Sequence, residues 1–226
     1  MFSQRYDVLL ADDSDSLAAH HRLRYQVYCV EKGYEDPGKF PSGQEMDDYD
    51  GYAVHLLARE RSTGQDVATL RLVLPKSPCF PCERVGGFDV TELTGLPRNQ
   101  IAEISRVCLT RPAMNGPRLV NDRARAAALM RTSHITLSLY QAVYAFSLEH
   151  GINHWLGFTT PAMRRLLLSQ NMQLEPVGPA RQHRGERQAY LFRWTLGIQL
   201  FGSVRNLRHS YQRASQLART QAASVA

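Results

Sequence analysis

Residues 102–109 read AEISRVCL, and how this stretch is read decides the fold. Ala102, Ile104, Val107, Cys108 and Leu109 suit a strand inside a core, yet Glu103, Ser105 and Arg106 set a carboxylate, a hydroxyl and a guanidinium into it. Charged groups are rarely buried without a partner, because desolvation costs several kcal/mol per ion. A core strand with both charges therefore needs counter-charges from elsewhere in the chain. In a strand, Glu103 and Ser105 point to one face and Arg106 to the other, unless a bulge re-aims one of them.

On either side of this strand the pattern alternates helix and strand. Residues 14–30 read as a helix, with Asp13 or Ser14 as N-cap and Leu17, Leu23, Val27 and Val30 as apolar positions. A 21-residue Gly/Pro/Asp-rich loop, EKGYEDPGKFPSGQEMDDYDG, follows; loops of that length are usually functional or disordered. YAVHLLARE and DVATLRLVLP flank RSTGQ as an antiparallel hairpin, and residues 75–100 are irregular and Pro-rich. Residues 121–149 form an Ala/Leu-rich helix closing at Gly151, then a strand at 152–159, a short helix opened by Pro161, two strands, and a basic helix from about 200 to 220. The order predicts one α/β (α+β) domain over residues 1–198, with helices on a largely antiparallel sheet, and a basic helix and frayed tail over 199–226.

Size and composition set limits on function. At 226 residues, with 43% hydrophobic and 21% charged residues, the chain has the make-up of an ordinary globular protein. It has no apolar run of about 18 residues and no signal-peptide pattern, so the expected compartment is the cytoplasm. Of its four cysteines only Cys79 and Cys82 form a CxxC, and a structural zinc site needs a second pair, so reduced, unligated thiols are expected. The acids at 45, 47, 48 and 50 lack the Gly and distal Glu of a calcium loop, and no metal site is expected. The sequence has no Walker A loop, no GxGxxG and no GxSxG. From Arg181 to Arg219 there are eight arginines and one acid, Glu186, giving a basic segment suited to nucleic acid, an anionic membrane or an acidic protein.

Four polar clusters remain. Arg24 and Tyr28 share a helix face, Glu45, Asp47 and Asp50 lie within six residues of the long loop, Arg71 interrupts an apolar run, and the opening strand adds Glu103, Ser105 and Arg106. Singly, each has an ordinary structural explanation. Together, Arg24, Arg71 and Arg106 can pair with Asp47, Asp50 and Glu103 in a three-against-three network that pins the loop over the sheet and walls a polar pocket.

RYQVYCVEKGY, EMDDYD, ATLRLVLP and EISR, taken in order, resemble the acyl-homoserine-lactone (autoinducer) synthases. The matching positions are Arg24, Tyr28, Tyr34, Glu45, Asp47, Asp50, Arg71, Glu103 and Arg106; Ala68 stands where that family has a strand glycine, and Tyr34 where it usually has Trp. The late segment VGPARQHRGERQAY brings the chain closer to a sister group, the PEP-CTERM/exosortase system-associated acyltransferases. The resemblance implies a GNAT-like fold whose two central strands, 102–109 and 152–159, splay to admit a pantetheine arm. It implies acyl transfer to an amino acid amine, with acyl carrier protein, through its phosphopantetheine thioester, or acyl-CoA as the donor and no permanently bound cofactor.

On that reading Glu103, Ser105 and Arg106 are catalytic, with Glu103 as base and the backbone of 105–107 as oxyanion site. Arg24, Tyr28, Tyr34, Asp47, Asp50, Arg71 and Trp155 bind substrate, while Arg181, Arg184 and Arg187 dock the acidic carrier. No nucleic-acid partner is expected, and the basic terminal helix offers a peripheral membrane contact. The alternatives are autoinducer synthesis, acetyl-CoA-dependent acetylation, and a non-catalytic acyl- or nucleic-acid-binding module.

Overall fold

The computed structural model describes residues 5–111, 122–169 and 172–192. Its strands are β1 (Tyr6–Leu10), β2 (Ala53–Glu60), β3 (Asp66–Val73), β4 (Ile101–Leu109), β5 (His154–Thr159), β6 (Leu174–Gln182) and β7 (Glu186–Phe192). They form one seven-stranded sheet in the order β1-β2-β3-β4-β5-β7-β6. Every neighbouring pair is antiparallel except β4–β5, which is parallel. The helices are α1 (Ser14–Tyr25), α2 (Pro81–Gly86), α3 (Val90–Thr94), α4 (Asp122–Glu149) and α5 (Pro161–Ser169).

Local chemistry accounts for most of these boundaries. Asp13 caps α1 by accepting from the Asp15 and Ser16 N–H groups, and the Ser16 hydroxyl answers the Asp13 N–H in a capping box. Beyond Tyr25 the helix continues as a π-helical turn over Gln26–Glu31, a form that clusters at functional sites and here carries Tyr28. The β6–β7 hairpin turns over the three residues between Gln182 and Glu186, where Arg184 (φ 54) and Gly185 (φ 90) both take positive φ. β3 is buried along nearly its whole length, which is why ATLRLV carries no alternation.

α4 covers one face of the sheet, packing Ile135, Leu139 and Tyr144 on Leu56, Leu70 and Leu72. α1 lies on the other face, where Leu23 and Val27 meet Leu57 and Cys108. α2 and α3 cover that second face near β6, around Phe80, Cys82 and Val90.

Two features depart from the sequence-based expectation. β1 is absent from the order that the sequence predicts; it is a five-residue strand that, among the described residues, pairs with β2 alone, too short for periodicity to mark. The irregular stretch 75–100 folds into α2 and α3, which end at Gly87 (φ 68) and Gly95 (φ 67) as left-handed caps. The basic helix expected near 200–220, and with it the 199–226 segment, lies outside the described residues.

Candidate active site

The site begins where β4 and β5 part. Their parallel pairing runs from Ile101↔His154 to Ile104↔Gly157, after which β4 stays with β3 and β5 follows β7. A cleft of about 270 Å³ opens in the gap. One end is apolar, lined by Ile104, Tyr140, Met163, Leu166 and Phe192; the other is polar, lined by Tyr28, Lys32, Tyr34, Ser105, Arg106 and Arg187. Gly157 keeps the gap open: a Cβ there would stand 2.8 Å from Phe192 Cε2.

A bulge aims β4 at this cleft. Thr69 and Arg71 of β3 face Cys108 and Ser105, so Leu70 alone is opposed by both Arg106 and Val107. Arg106 takes φ 49, a left-handed conformation that costs a non-glycine residue about 1–3 kcal/mol unless its surroundings hold it. They do. Arg106 Nε and Nη2 donate to Glu45 Oε1 at 3.1 and 2.9 Å, Nη2 also reaches Asp47 Oδ2 at 2.9 Å, and the guanidinium lies 5.4 Å from the Tyr28 ring centroid. The bulge thus turns Arg106 to the face that already carries Ser105.

Arg106 is one member of a larger ion network. Arg24 Nε donates to Glu45 Oε2 at 2.5 Å and its Nη1 to Asp50 Oδ1 at 2.6 Å. Arg71 Nη1 donates to Asp47 Oδ1 at 2.5 Å and Asp50 Oδ1 at 3.0 Å, while its Nε donates to Ser105 Oγ at 3.0 Å. Glu35 adds a fourth carboxylate, meeting Arg106 and Arg184. Four guanidiniums therefore face four carboxylates. Burial pushes the Asp50 carboxyl up, but the Arg24 guanidinium outweighs it and holds Asp50 well below the usual carboxylate range. Glu45 is lowered in the same way, with Arg24 and Arg106 overcoming burial.

Glu103 stands outside this network, which corrects the expected pairing. Its carboxylate is buried at 1% exposure and accepts from the Cys82 N–H at 2.9 Å. Burial raises its pKa to about 7, against the opposing pull of that N–H and of Arg71. Its place among the arginines' partners is taken by Glu45 and Glu35. Glu103 does not line the cleft; Ser105, two residues on and on the same face, does.

Other expected residues divide similarly. Tyr28 and Tyr34 line the cleft with ring centroids 6.3 Å apart. Trp155, expected at the substrate, is fully buried on the α4 face against Tyr140 and Phe192, and its Nε1–H donates to Ser147 Oγ at 2.9 Å. Its place in the paired half of β5, opposite Ala102, turns it into the core. The three late arginines do not form one patch. Arg181 is exposed on β6, Arg184 is bound to Glu35, and Arg187 lines the cleft with Nε donating to the His183 carbonyl at 2.8 Å.

Among the described residues Arg187 has no carboxylate partner. The apolar wall is a feature that sequence reasoning missed, although Thr132, Thr136 and Tyr140 recur every four residues along one face of α4. Cys108 also lines the cleft, but burial pushes its thiol up to about 12, so it is no nucleophile near neutral pH.

The acetyltransferase (GNAT) domain family matches residues 23–120, which span β2, β3 and β4. An acyl-homoserine-lactone synthase of Vibrio anguillarum is 24% identical over 166 residues, covering 72% of this chain and 76% of that protein. The chain has the GNAT fold and is homologous to an acyl-homoserine-lactone synthase. Two solved structures share the fold. The CoA-dependent acyl-homoserine lactone synthase BjaI, with SAM and isopentyl-CoA, superposes with TM-score 0.62 at 20% identity, covering 88% of this chain and 89% of its own. FeeM, an N-acyl amino acid synthase from uncultured soil microbes, superposes with TM-score 0.58 at 12% identity, covering 93% and 97%. The splayed β4–β5 pair matches the expectation raised by the sequence. Among the described residues, no helix is long and apolar enough to cross a membrane.

Proposed function

We propose that this chain transfers a fatty acyl group from a carrier-bound thioester to the amine of an amino acid. The observation that carries this reading is the cleft itself, apolar where β4 and β5 part and cationic at its mouth. The apolar end suits an acyl chain, and Arg187, which has no acid partner among the described residues, suits the carboxylate of an amino acid. Arg106 is committed to Glu45 and Asp47, and Arg71 lies behind the wall, so neither is the first choice for that carboxylate. Glu35, Glu45, Asp47 and Asp50 are all engaged by guanidiniums, which makes the mouth better suited to an anionic acceptor than to a sulfonium cation.

The thioester is already activated, so three tasks remain: deprotonating the ammonium, orienting the amine and stabilising the oxyanion. Glu103, with a pKa of about 7, takes the ammonium proton through the Ser105 hydroxyl or a water. The amine nitrogen attacks the carbonyl carbon, and the bulged backbone of 105–107, unpaired on its β5 side, receives the developing oxyanion. The C–N bond forms and the C–S bond breaks; the attacking nitrogen gives its second surplus proton to the departing pantetheine sulfur, while the first passes from Glu103 to solvent.

The test is mass spectrometry of the purified chain with acyl-ACP, acyl-CoA, a pool of amino acids and S-adenosylmethionine. An N-acyl amino acid is the expected product. Consumption of S-adenosylmethionine with formation of an acyl-homoserine lactone would establish the second reading, which the homology to the Vibrio synthase favours.

Two variants separate the roles of the late arginines. Arg187→Met is expected to raise KM for the amino acid at least about tenfold, the value of one charge-assisted hydrogen bond, with the donor KM little changed. Arg181→Glu, at an exposed position, is expected to raise KM for acyl-ACP alone. Equal effects of either change on both substrates would remove that assignment. Gly157→Ala places a methyl within 2.8 Å of Phe192 and is expected to cost about 1–3 kcal/mol of stability. It should also raise KM for long-chain donors more than for short ones, read from a chain-length series.

A further inference from the structure

Behind the ion network, on the side away from the cleft, three histidines from two elements meet. His20 and His21 come from the middle of α1, and His55 from β2. Their ring centroids lie 4.8 to 5.5 Å apart, each pair edge-on, and one ligand nitrogen from each falls within 4.8 Å of the other two. All three side chains are buried, at 0%, 5% and 5% exposure. Four of their six ring nitrogens are buried with no hydrogen-bond partner: both of His20, Nε2 of His21 and Nδ1 of His55. Leaving a buried polar atom unpaired costs about 1–3 kcal/mol, and three such rings converging on one point are an expensive way to fill a core.

We propose that His20, His21 and His55 form a binding site for a divalent transition-metal ion of the zinc class. Three imidazole nitrogens are a donor set that zinc, cobalt and copper favour over magnesium or calcium. The Asp50 carboxylate, engaged by Arg24 and Arg71, adds negative charge beside them: its Oδ1 is 3.9 Å from His55 Nδ1. His55 is also oriented from its other nitrogen, since Nε2 lies 3.2 Å from the Asp50 carbonyl oxygen, which fixes Nδ1 as the lone-pair donor. An ion can reach the site from solvent. A separate cavity of about 440 Å³, lined by His21, His55, Asp50 and Met46, opens on this side of the sheet.

The Arg24 guanidinium nearby opposes a cation, but Glu45 and Asp50 already neutralise it, so the charge cost is offset locally. A bound ion would tie α1 to β2 directly behind Asp50. It would therefore set the position of the acidic loop, whose Glu45 and Asp47 hold Arg106 at the acyl cleft. The expectation of no metal site rested on cysteine pairs and acidic spacing; a histidine cluster drawn from two elements has no linear signature beyond the adjacent pair at 20 and 21.

The test uses the tag-free full chain, stripped with chelator and desalted, then titrated with Co²⁺ and Zn²⁺ without any substrate. One ion per chain, a tetrahedral Co²⁺ absorption band displaced by Zn²⁺, and a Tm raised by Zn²⁺ and restored by EDTA are expected. Changes outside the ligand set alone cost metal sites about 10–100-fold, so His21→Gln is expected to weaken Zn²⁺ binding at least about 100-fold. Absence of bound metal and of any Co²⁺ band in the wild type overturns the proposal, whatever the variants do. So does a His21→Gln chain that folds, by circular dichroism, and binds Zn²⁺ as tightly as the wild type. Neither readout depends on the acyl substrate.

Discussion

Glu103→Gln is expected to lower turnover by about 10²–10⁴-fold at saturating substrates, the usual value of a general base, while the protein keeps its fold. The expectation rests on an environment that fits one role better than any other. Arginine pairing would have lowered the Glu103 carboxyl, as it does at Asp50. Instead burial dominates and lifts Glu103 to about 7. A carboxylate so placed is half ionised near neutral pH and accepts a proton readily. The rate profile should rise with pH through a midpoint near 7 and lose that limb in the Gln variant.

Stability should move in the opposite direction. The folded state binds this proton more tightly than the unfolded chain, whose carboxyl titrates near 4.5, so stability falls as pH climbs from about 4.5 to about 7. Every tenfold difference in proton affinity between the folded and unfolded chain is worth about 1.4 kcal/mol. Glu103→Gln removes the loss, so the variant should equal or exceed the wild type in urea unfolding at pH 8. Unchanged turnover with an intact pH limb would move the base elsewhere.

Much of this is legible in the strand AEISRVCL, because the physics of buried charge is demanding. Two ions in a core strand require partners, and that requirement alone points to Arg24, Asp47, Asp50 and Arg71, which the structure joins in one network. Which acid meets which base is not legible. The pairing depends on a one-residue bulge opposite Leu70, and a bulge leaves almost no trace in a non-glycine sequence. Without it, the alternation of the strand would turn Arg106 toward α4, away from Glu45 and Asp47. The burial of Trp155 turns on a similar point: the splay starts after Gly157, two residues later, and register decides the side. The apolar wall is hidden for another reason. Thr132, Thr136 and Tyr140 read as ordinary positions on an Ala/Leu-rich helix until the gap between two strands gives that face a purpose.

Arg24→Met is expected to produce the largest loss of stability, about 3–5 kcal/mol in urea unfolding. Arg24 has a fully buried side chain and bridges two acids that are themselves almost fully buried, Glu45 at 1% and Asp50 at 6% side-chain exposure. Removing the guanidinium leaves Glu45 to Arg106 and Asp50 to Arg71, each already shared with Asp47. Against a usual total of about 5–15 kcal/mol, such a loss lowers Tm by about 6–20 °C for a chain of this length.

Arg24→Lys should fall between the wild type and Arg24→Met, because an ammonium keeps the charge but cannot span Glu45 and Asp50 with a fixed fork. The double variant Arg24→Met/Asp50→Asn should be more stable than the sum of the single losses predicts, since the second change removes a charge that the first has stranded. The carboxyls of Glu45 and Asp50 are held below their usual range, so the network's contribution is complete above that range. It is lost only as pH falls well below it. The Arg24→Met chain should therefore lose its deficit relative to the wild type in strong acid. A deficit under about 1 kcal/mol at pH 7 would mean that water, rather than Arg24, satisfies these acids, and that the long loop is held over β3 and β4 by Arg71 and Arg106 alone.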